Sequence, residues 1–183
     1  MKKILAFVFA AALLFLSFYI YQETGKSKTV PEDIKIEAVL KPNNNERMGH
    51  KDVMLEVSIE KHSSSRHLIY PYIPGLMHMS FDNEEGQGFY VPTSIGNGPD
   101  DERKVADALR AGGVINSSFD DEELTMMGFA GPEEAGSHKL RMYFEAEDVS
   151  SLKEMHLVYV HKETGRFGRE LGWTKVVKVQ PEL

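Results

Sequence analysis

Histidine and methionine side chains are the first candidates for chemistry in this sequence, which has seven histidines and no cysteine. Imidazole together with thioether sulfur suits copper in an oxidising compartment, and imidazole alone suits zinc. The candidate ligands are His62, His67 and His78. A short serine turn separates His62 from His67, and Met77 and Met79 flank His78. On a strand, however, Met77 and Met79 share the face of Phe81, which favours core packing. We therefore predict that the protein has no cofactor, and we keep copper or zinc binding as an alternative.

The sequence lacks the motifs of the common catalytic classes. No G-x-S-x-G, H-E-x-x-H, phosphate-loop or dinucleotide-binding pattern occurs. Ser137 and His138 are adjacent, and adjacent strand residues face opposite sides, so they are not placed to share a proton. The glycines in 96–98 lack the lysine and spacing of a phosphate loop and indicate a turn. We therefore predict that the protein is not an enzyme.

Two clusters are candidates for protein recognition. Tyrosines and prolines gather after residue 69, and a methionine pair with a phenylalanine lies among acidic residues of 120–134. Such residues are enriched where proteins bind one another. The predicted partner-binding residues are Tyr70, Tyr72, Pro74, Met126, Met127 and Phe129. The first cluster is equally typical of a turn packed on the core, and acidic residues also favour a helix start.

Charge and composition exclude several partners. The formal net charge is −7, and leaving out Lys2 and Lys3 makes the remainder −7 − 2 = −9. An acidic domain repels polyanions, so nucleic acid is not expected as a partner. The absence of cysteine excludes disulfides and thiolate metal sites.

The N-terminus predicts a membrane anchor. Residues 4–21 carry no charge and follow two lysines, and about 18 helical residues span about 27 Å, enough for a hydrocarbon core. The run ends in bulky residues, which favours an uncleaved anchor over a cleaved signal peptide. We therefore predict a signal anchor at 1–22, a linker at 23–33, and a domain at 34–183 outside the cytoplasm of a single-pass membrane protein.

From residue 34 onward the dominant hydrophobic period is two, which is typical of strands with one buried face. Predicted strands include 34–40, 53–60, 67–72, 77–82, 89–91, 113–118, 139–145, 155–162 and 173–179. Gly165 predicts a hairpin turn between the last two. Helix start and stop signals predict one inserted helix at 100–113 and a second at 118–128. The fold class is therefore all-β, with one or two short helices inserted.

The order of these elements resembles immunoglobulin-like or fibronectin-like domains of exported bacterial proteins. The resemblance is carried by the strand 52–59, by Leu68-Ile69-Tyr70 with its following prolines, and by the last hairpin, ending in 173–179. It implies an antiparallel β-sandwich and a partner among envelope proteins. We therefore predict a protein-binding or envelope-accessory module, with a protease or hydrolase inhibitor and a metal-binding protein as alternatives.

Overall fold

The computed structural model describes residues 2–24, 27, 29–44, 51–73, 82–83, 91–93, 99–118, 128–145, 152–165 and 170–183. The N-terminal elements are α1 (Lys2–Thr24) and a short 3-10 helix (Pro31–Asp33). The strands are β1 (Ile34–Pro42), β2 (Val53–Lys61), β3 (Arg66–Tyr72), β4 (Asp82–Asn83), β5 (Val91–Thr93), β6 (Gly128–Ala130), β7 (Gly136–Phe144), β8 (His156–Thr164), β9 (Glu170–Lys178) and β10 (Gln180–Pro181). A second helix, α2 (Pro99–Ala111), lies between β5 and β6.

The strands form two five-stranded sheets. Sheet A has the order β10-β1-β2-β7-β4, and sheet B has the order β5-β6-β3-β8-β9. All described pairs are antiparallel except the short parallel pair of β1 with β10. The strands β6 and β10 are not among the predicted strands, because with three and two residues they are too short to show a hydrophobic period.

The sheets pack face to face around one apolar core. Alternate residues of β2, such as Leu55, Val57 and Ile59, are fully buried and contact residues of sheet B, among them Ile69 and Leu157. This is the period-two pattern of the sequence placed against a second sheet, so the predicted β-sandwich is confirmed as the architecture.

Helix α2 covers the outer face of sheet B. Val105 and Leu109 are fully buried and pack on side chains of β3 and β8 that point away from sheet A. Sheet B is thus buried on both faces, which explains why β3 and β8 read as nearly continuous apolar runs. The sequence predicts that each strand has one solvent-exposed face. This prediction is correct for the outer face of sheet A and wrong for the outer face of sheet B, which α2 covers.

The end of α2 corrects one predicted strand. Gly113 has φ +69° and donates to the Arg110 carbonyl, while Val114 donates to the Leu109 carbonyl, which together form a Schellman cap. Ile115 then folds back and is buried under the helix. Residues 113–118 therefore form turns and no strand. The predicted second helix falls largely on 119–127, outside the described residues, as does most of the predicted strand 77–82.

The described side chains of helix α1 are mostly exposed. Eight of its large apolar side chains are exposed: Phe9, Leu13, Leu14, Phe15, Leu16, Phe18, Tyr19 and Ile20. Within the described part of the chain, no helix has both the length and the apolarity needed to cross a membrane.

The sandwich has two distinguishable ends. The proximal end is the one where β1 begins, at Ile34, which pairs with Lys61. Because only a short turn joins β2 to β3, Arg66 and its partner Lys162 also lie at this end. The distal end carries the opposite termini of the same strands, including Pro42 and Tyr72. The chain thus arrives from α1 at the proximal end.

Candidate functional site

A buried lysine organises the proximal end. Lys61 is 3% exposed, and its Nζ donates to the carbonyl oxygens of Ser65 at 2.8 Å, Pro132 at 2.7 Å and Glu133 at 3.2 Å. Burial lowers the pKa of Lys61 to about 8, against the opposing effect of the Glu134 and Glu133 carboxylates. At neutral pH it is therefore an ammonium that joins the β2–β3 turn to the loop between β6 and β7.

His67 lies beside this ammonium and stacks on a tyrosine. Its Nδ1 is 3.4 Å from Lys61 Nζ, and its ring lies 5.1 Å from that of Tyr159, at 18° between the planes. Burial, and then the positive charge of Lys61, lowers the pKa of His67 to about 3. The imidazole is therefore neutral at neutral pH, with Nδ1 facing the ammonium. Burial also raises the pKa of Tyr159.

The stack continues to the chain that arrives from α1. Trp173 packs 5.5 Å from Tyr159 and 4.7 Å from His161, the latter nearly parallel. Its Nε1 donates to the Thr29 carbonyl at 2.7 Å, and Thr29 is 5% exposed. Ser27 Oγ donates to Glu163 Oε2 at 2.8 Å. Ser27 and Thr29, together called the strap, are thereby held against the domain.

His161 is buried directly under this strap. It is fully buried, and neither ring nitrogen has a hydrogen-bond partner among the described residues. Nε2 lies 3.7 Å from Glu163 Oε2, within reach of an ion pair if the ring is protonated. Burial lowers the pKa of His161, and Glu163 opposes this effect. A second neutral histidine thus lies opposite His67, its partner across the β3–β8 pair.

A polar cavity of about 320 Å³ opens beside the strap. Its charged lining consists of three carboxylates and two cations: Glu133, Glu163, Glu170, Arg66 and Lys162. Three hydroxyl side chains complete it: Ser64, Ser65 and Thr164. Such a lining accepts and donates many hydrogen bonds and suits a small polar or doubly charged ligand.

The cavity does not have the geometry of acyl transfer. A serine nucleophile needs a base within hydrogen-bond reach. Ser65 Oγ is buried without a hydrogen-bond partner among the described residues, and the nearby Lys61 ammonium already donates to three carbonyls. The arrangement fits binding better than nucleophilic catalysis.

Three of the six predicted partner-binding residues are buried in the structure. Tyr70 and Tyr72 are 1% and 7% exposed because α2 covers their side of sheet B. Phe129 is 0% exposed and belongs to the core between the sheets. Pro74, Met126 and Met127 lie outside the described residues, so the recognition surface stays a prediction and now depends on them.

The alternative metal set is not brought together in the described residues. His62 is exposed, His67 is buried beside Lys61, and His78 lies outside the described residues. The part of the chain that the structure describes holds no group of three histidine or carboxylate side chains placed to share a metal. An ammonium next to His67 Nδ1 further disfavours a cation there.

The loops expected of an inhibitor do not form a common edge. Residues 128–130 form strand β6, and Pro132 is buried with its carbonyl on Lys61 at the proximal end. The chain leaves β3 at Tyr72, at the distal end. An inhibitor would present the segments 71–75 and 128–132 as exposed loops, whereas the described residues 71–73, 128–129 and 132 are buried.

Sequence reasoning missed Lys61, although a signal was present. Residues 53, 55, 57 and 59 alternate as the buried face of β2, and position 61 continues that parity. His67 and His161 likewise share the parity of Ile69 and Tyr159. A lysine in an inward register predicts a buried, fully hydrogen-bonded ammonium.

We expect the free energy of unfolding to fall as the pH drops from 6.5 toward 5. The pKa of His67 is about 3 in the folded chain and 6.5 ordinarily, so the unfolded chain binds the proton first. The contribution of His67 to the free energy of unfolding is therefore complete above pH 6.5. Below pH 6.5 it falls by at most about 1.4 kcal/mol per pH unit. His161 acts in the same direction. Urea unfolding of the full chain in detergent, followed by Trp173 fluorescence, measures the slope.

The matched variants are His67→Gln, which places a polar side chain without a titratable group beside Lys61, and His62→Gln at an exposed position. We expect the first to reduce the slope between pH 6.5 and 5 and the second to leave it unchanged. An unchanged slope in His67→Gln would show that another group is responsible.

We expect Trp173→Phe to loosen the strap. Phenylalanine keeps the aromatic ring and removes the hydrogen bond to the Thr29 carbonyl, which contributes about 1 kcal/mol, or a factor of about five in the detached fraction. Lys26 and Lys28 flank Ser27, so limited trypsin digestion with mass spectrometry reports detachment. Ser137→Ala, at an exposed position, is the control. Equal cleavage in both variants would mean that Trp173 does not hold the strap.

No known protein family matches this sequence, and no curated protein matches it significantly. Among solved structures, the collagen-binding subdomain of the Enterococcus faecalis surface protein ACE is 7% identical with a TM-score of 0.37, covering 84% of this chain and 99% of that one. The collagen-binding domain of a Staphylococcus aureus adhesin is 11% identical with a TM-score of 0.32, with the same coverages. TM-scores this low establish neither a shared fold nor a shared function.

Proposed function

We propose that this protein is a recognition module of the cell envelope, held at a membrane by its N-terminal helix, with the sandwich outside the cytoplasm. The observation that carries the proposal is the direction of the chain. It reaches the domain at the proximal end, where Trp173 and Glu163 hold the strap. The distal end therefore faces away from the anchor and is free to meet a partner.

The membrane anchor is supported by the sequence and by exposure. Residues 4–21 are uncharged. The structure describes the side chains of residues 9–20 within this run. In the described part, side chains such as Leu14 and Phe15 are 72% and 77% exposed. Leaving so many large apolar side chains in water is unfavourable by roughly 25 cal/mol per Å², so an apolar surrounding stabilises the helix.

The immunoglobulin-like class is supported by the strand order. Immunoglobulin domains have one sheet in the order A-B-E-D and a second with C, F and G. In this protein the strands β1-β2-β7-β4 of sheet A match the order A-B-E-D, and the strands β3-β8-β9 of sheet B match C, F and G. The elements β5, α2 and β6 are inserted between β4 and β7, which correspond to strands D and E. Domains of this class present loops at the ends of the sandwich, and such loops are where we place the partner.

The proposed contact is at the distal end. The antiparallel register sets the start of β6 next to the later half of β3. The segments holding Met126, Met127 and Pro74 adjoin these strand ends. We propose that they form the contact to another envelope protein.

Affinity purification after chemical crosslinking in native membranes tests the proposal. The full chain should retain one stoichiometric partner, and Met126→Ser with Met127→Ser should lose it without changing unfolding. A chain lacking residues 1–22 should leave the membrane fraction in alkaline carbonate, whereas the full chain stays. No partner with the full chain, or extraction of the full chain by carbonate, would contradict the proposal.

A further inference from the structure

The polar cavity lies close to the point where the chain leaves α1. Helix α1 ends at Thr24, and Ser27, three residues later, donates to the cavity-lining Glu163. Three residues span at most about 11 Å. If α1 is anchored as proposed above, on which this inference rests, the cavity lies at the level of the lipid headgroups.

The cations of the lining lie side by side. Arg66 and Lys162 are direct partners on the antiparallel strands β3 and β8, an arrangement that like charges disfavour unless anions lie nearby. Glu133 meets Arg66 Nε at 2.9 Å. The guanidinium fork of Arg66, the ammonium of Lys162 and the hydroxyl of Ser64 all line the cavity, and such groups suit a phosphate ester.

Two further carboxylates, Glu163 and Glu170, line the same cavity. Glu163 follows Lys162 in β8, and Glu170 pairs across the hairpin with Thr164. A hydrogen bond from Lys104 at 3.0 Å lowers the pKa of Glu170, although burial opposes it, and keeps it ionised. Carboxylates and cations that line the same cavity suit a ligand that carries both signs of charge.

We propose that this cavity binds the phosphoethanolamine headgroup of a membrane lipid, with the phosphate at Arg66 and Lys162 and the primary ammonium at Glu163 and Glu170. A volume of about 320 Å³ has room for about ten water-sized groups, enough for such a headgroup. The carboxylates accept the N–H groups of a primary ammonium. A quaternary ammonium offers none and is bound by aromatic cages, whereas none of the described lining residues is aromatic. The site therefore selects phosphatidylethanolamine over phosphatidylcholine and holds the domain against the bilayer.

The test uses the full chain in lipid nanodiscs that contain equal amounts of phosphatidylethanolamine and phosphatidylcholine. Native mass spectrometry of the released protein counts the lipids that stay bound. We expect phosphatidylethanolamine to be retained about tenfold over phosphatidylcholine, a ratio that one charge-assisted hydrogen-bonded pair provides. Arg66→Ala and Glu163→Gln should each remove the preference, and Lys178→Ala at the distal end should keep it.

Other outcomes overturn the inference in distinguishable ways. Equal retention of the two lipids, or a preference that survives Arg66→Ala, would show that the cavity does not distinguish the two headgroups. A stronger retention of phosphatidylglycerol that Glu163→Gln leaves intact would indicate an anion site only. A change in Trp173 fluorescence with soluble phosphoethanolamine, but none with the lipid, would assign the site to a soluble ligand. Failure to enter nanodiscs would instead refute the anchor.

Discussion

Replacing Lys61 by methionine should destabilise the domain by about 3 kcal/mol, because the substitution leaves carbonyl oxygens without a donor in a buried position. Methionine keeps the volume of the side chain and removes only the ammonium. The acceptors stay where they are: the Ser65 and Pro132 carbonyls, both within 2.8 Å of Nζ, cannot reach water without opening the loops. Urea unfolding of the full chain in detergent, monitored by far-ultraviolet circular dichroism, measures the loss.

The matched control is Lys139→Met, which removes a lysine from an exposed position of β7. We expect its midpoint to stay within error of the wild type. If Lys61→Met unfolds at the same urea concentration as the control, the cost of burying the ammonium equals the stabilisation from its hydrogen bonds. Lys61 would then not be the residue that holds the proximal end together.

Gly172→Ala should destabilise the domain by about 2–3 kcal/mol, because the strand pair β8–β9 has no room for a side chain there. A Cβ atom at position 172 would lie 2.5 Å from the carbonyl oxygen of His161, a backbone atom that cannot rotate away. The strands must separate locally, which displaces Trp173 from His161. Besides the unfolding midpoint, we therefore expect a change in Trp173 emission in the folded state.

Gly112→Ala is the matched substitution. Its added Cβ would lie 3.3 Å from the Ala108 carbonyl oxygen, a contact that a small shift relieves. We expect its effect to be less than half that of Gly172→Ala, with no change in Trp173 emission. Equal effects would mean that loss of glycine as such, and not the approach to His161, determines the cost.

The strands that alternate most clearly were predicted well because burial repeats every second residue. In β2 the apolar residues Val53, Leu55, Val57 and Ile59 all face the core. The same rule failed at sheet B, where α2 also buries the opposite face. A single sequence shows that an apolar run exists but not what lies on either side of it. Tyr70 and Tyr72 were read as a surface for this reason.

The site was less predictable than the fold because it depends on contacts between distant segments. Lys61 meets the Pro132 carbonyl across 71 positions, and Trp173 meets Thr29 across 144. Neither partner is a side chain, so no residue type in the sequence indicates it. The sequence shows that Lys61 continues the buried register of β2. The carbonyl oxygens that accept its hydrogen bonds can be identified only from the folded chain.

The central claim is that the distal end meets a partner while the proximal end faces the membrane. A photo-crosslinking amino acid placed at Met127 or at Pro74, in the full chain within native membranes, tests it most directly against the same probe at His62, an exposed position of the proximal end. The account predicts protein adducts from Met127 and Pro74, and lipid adducts from His62. Protein adducts from His62 alone would contradict it and reverse the orientation of the domain.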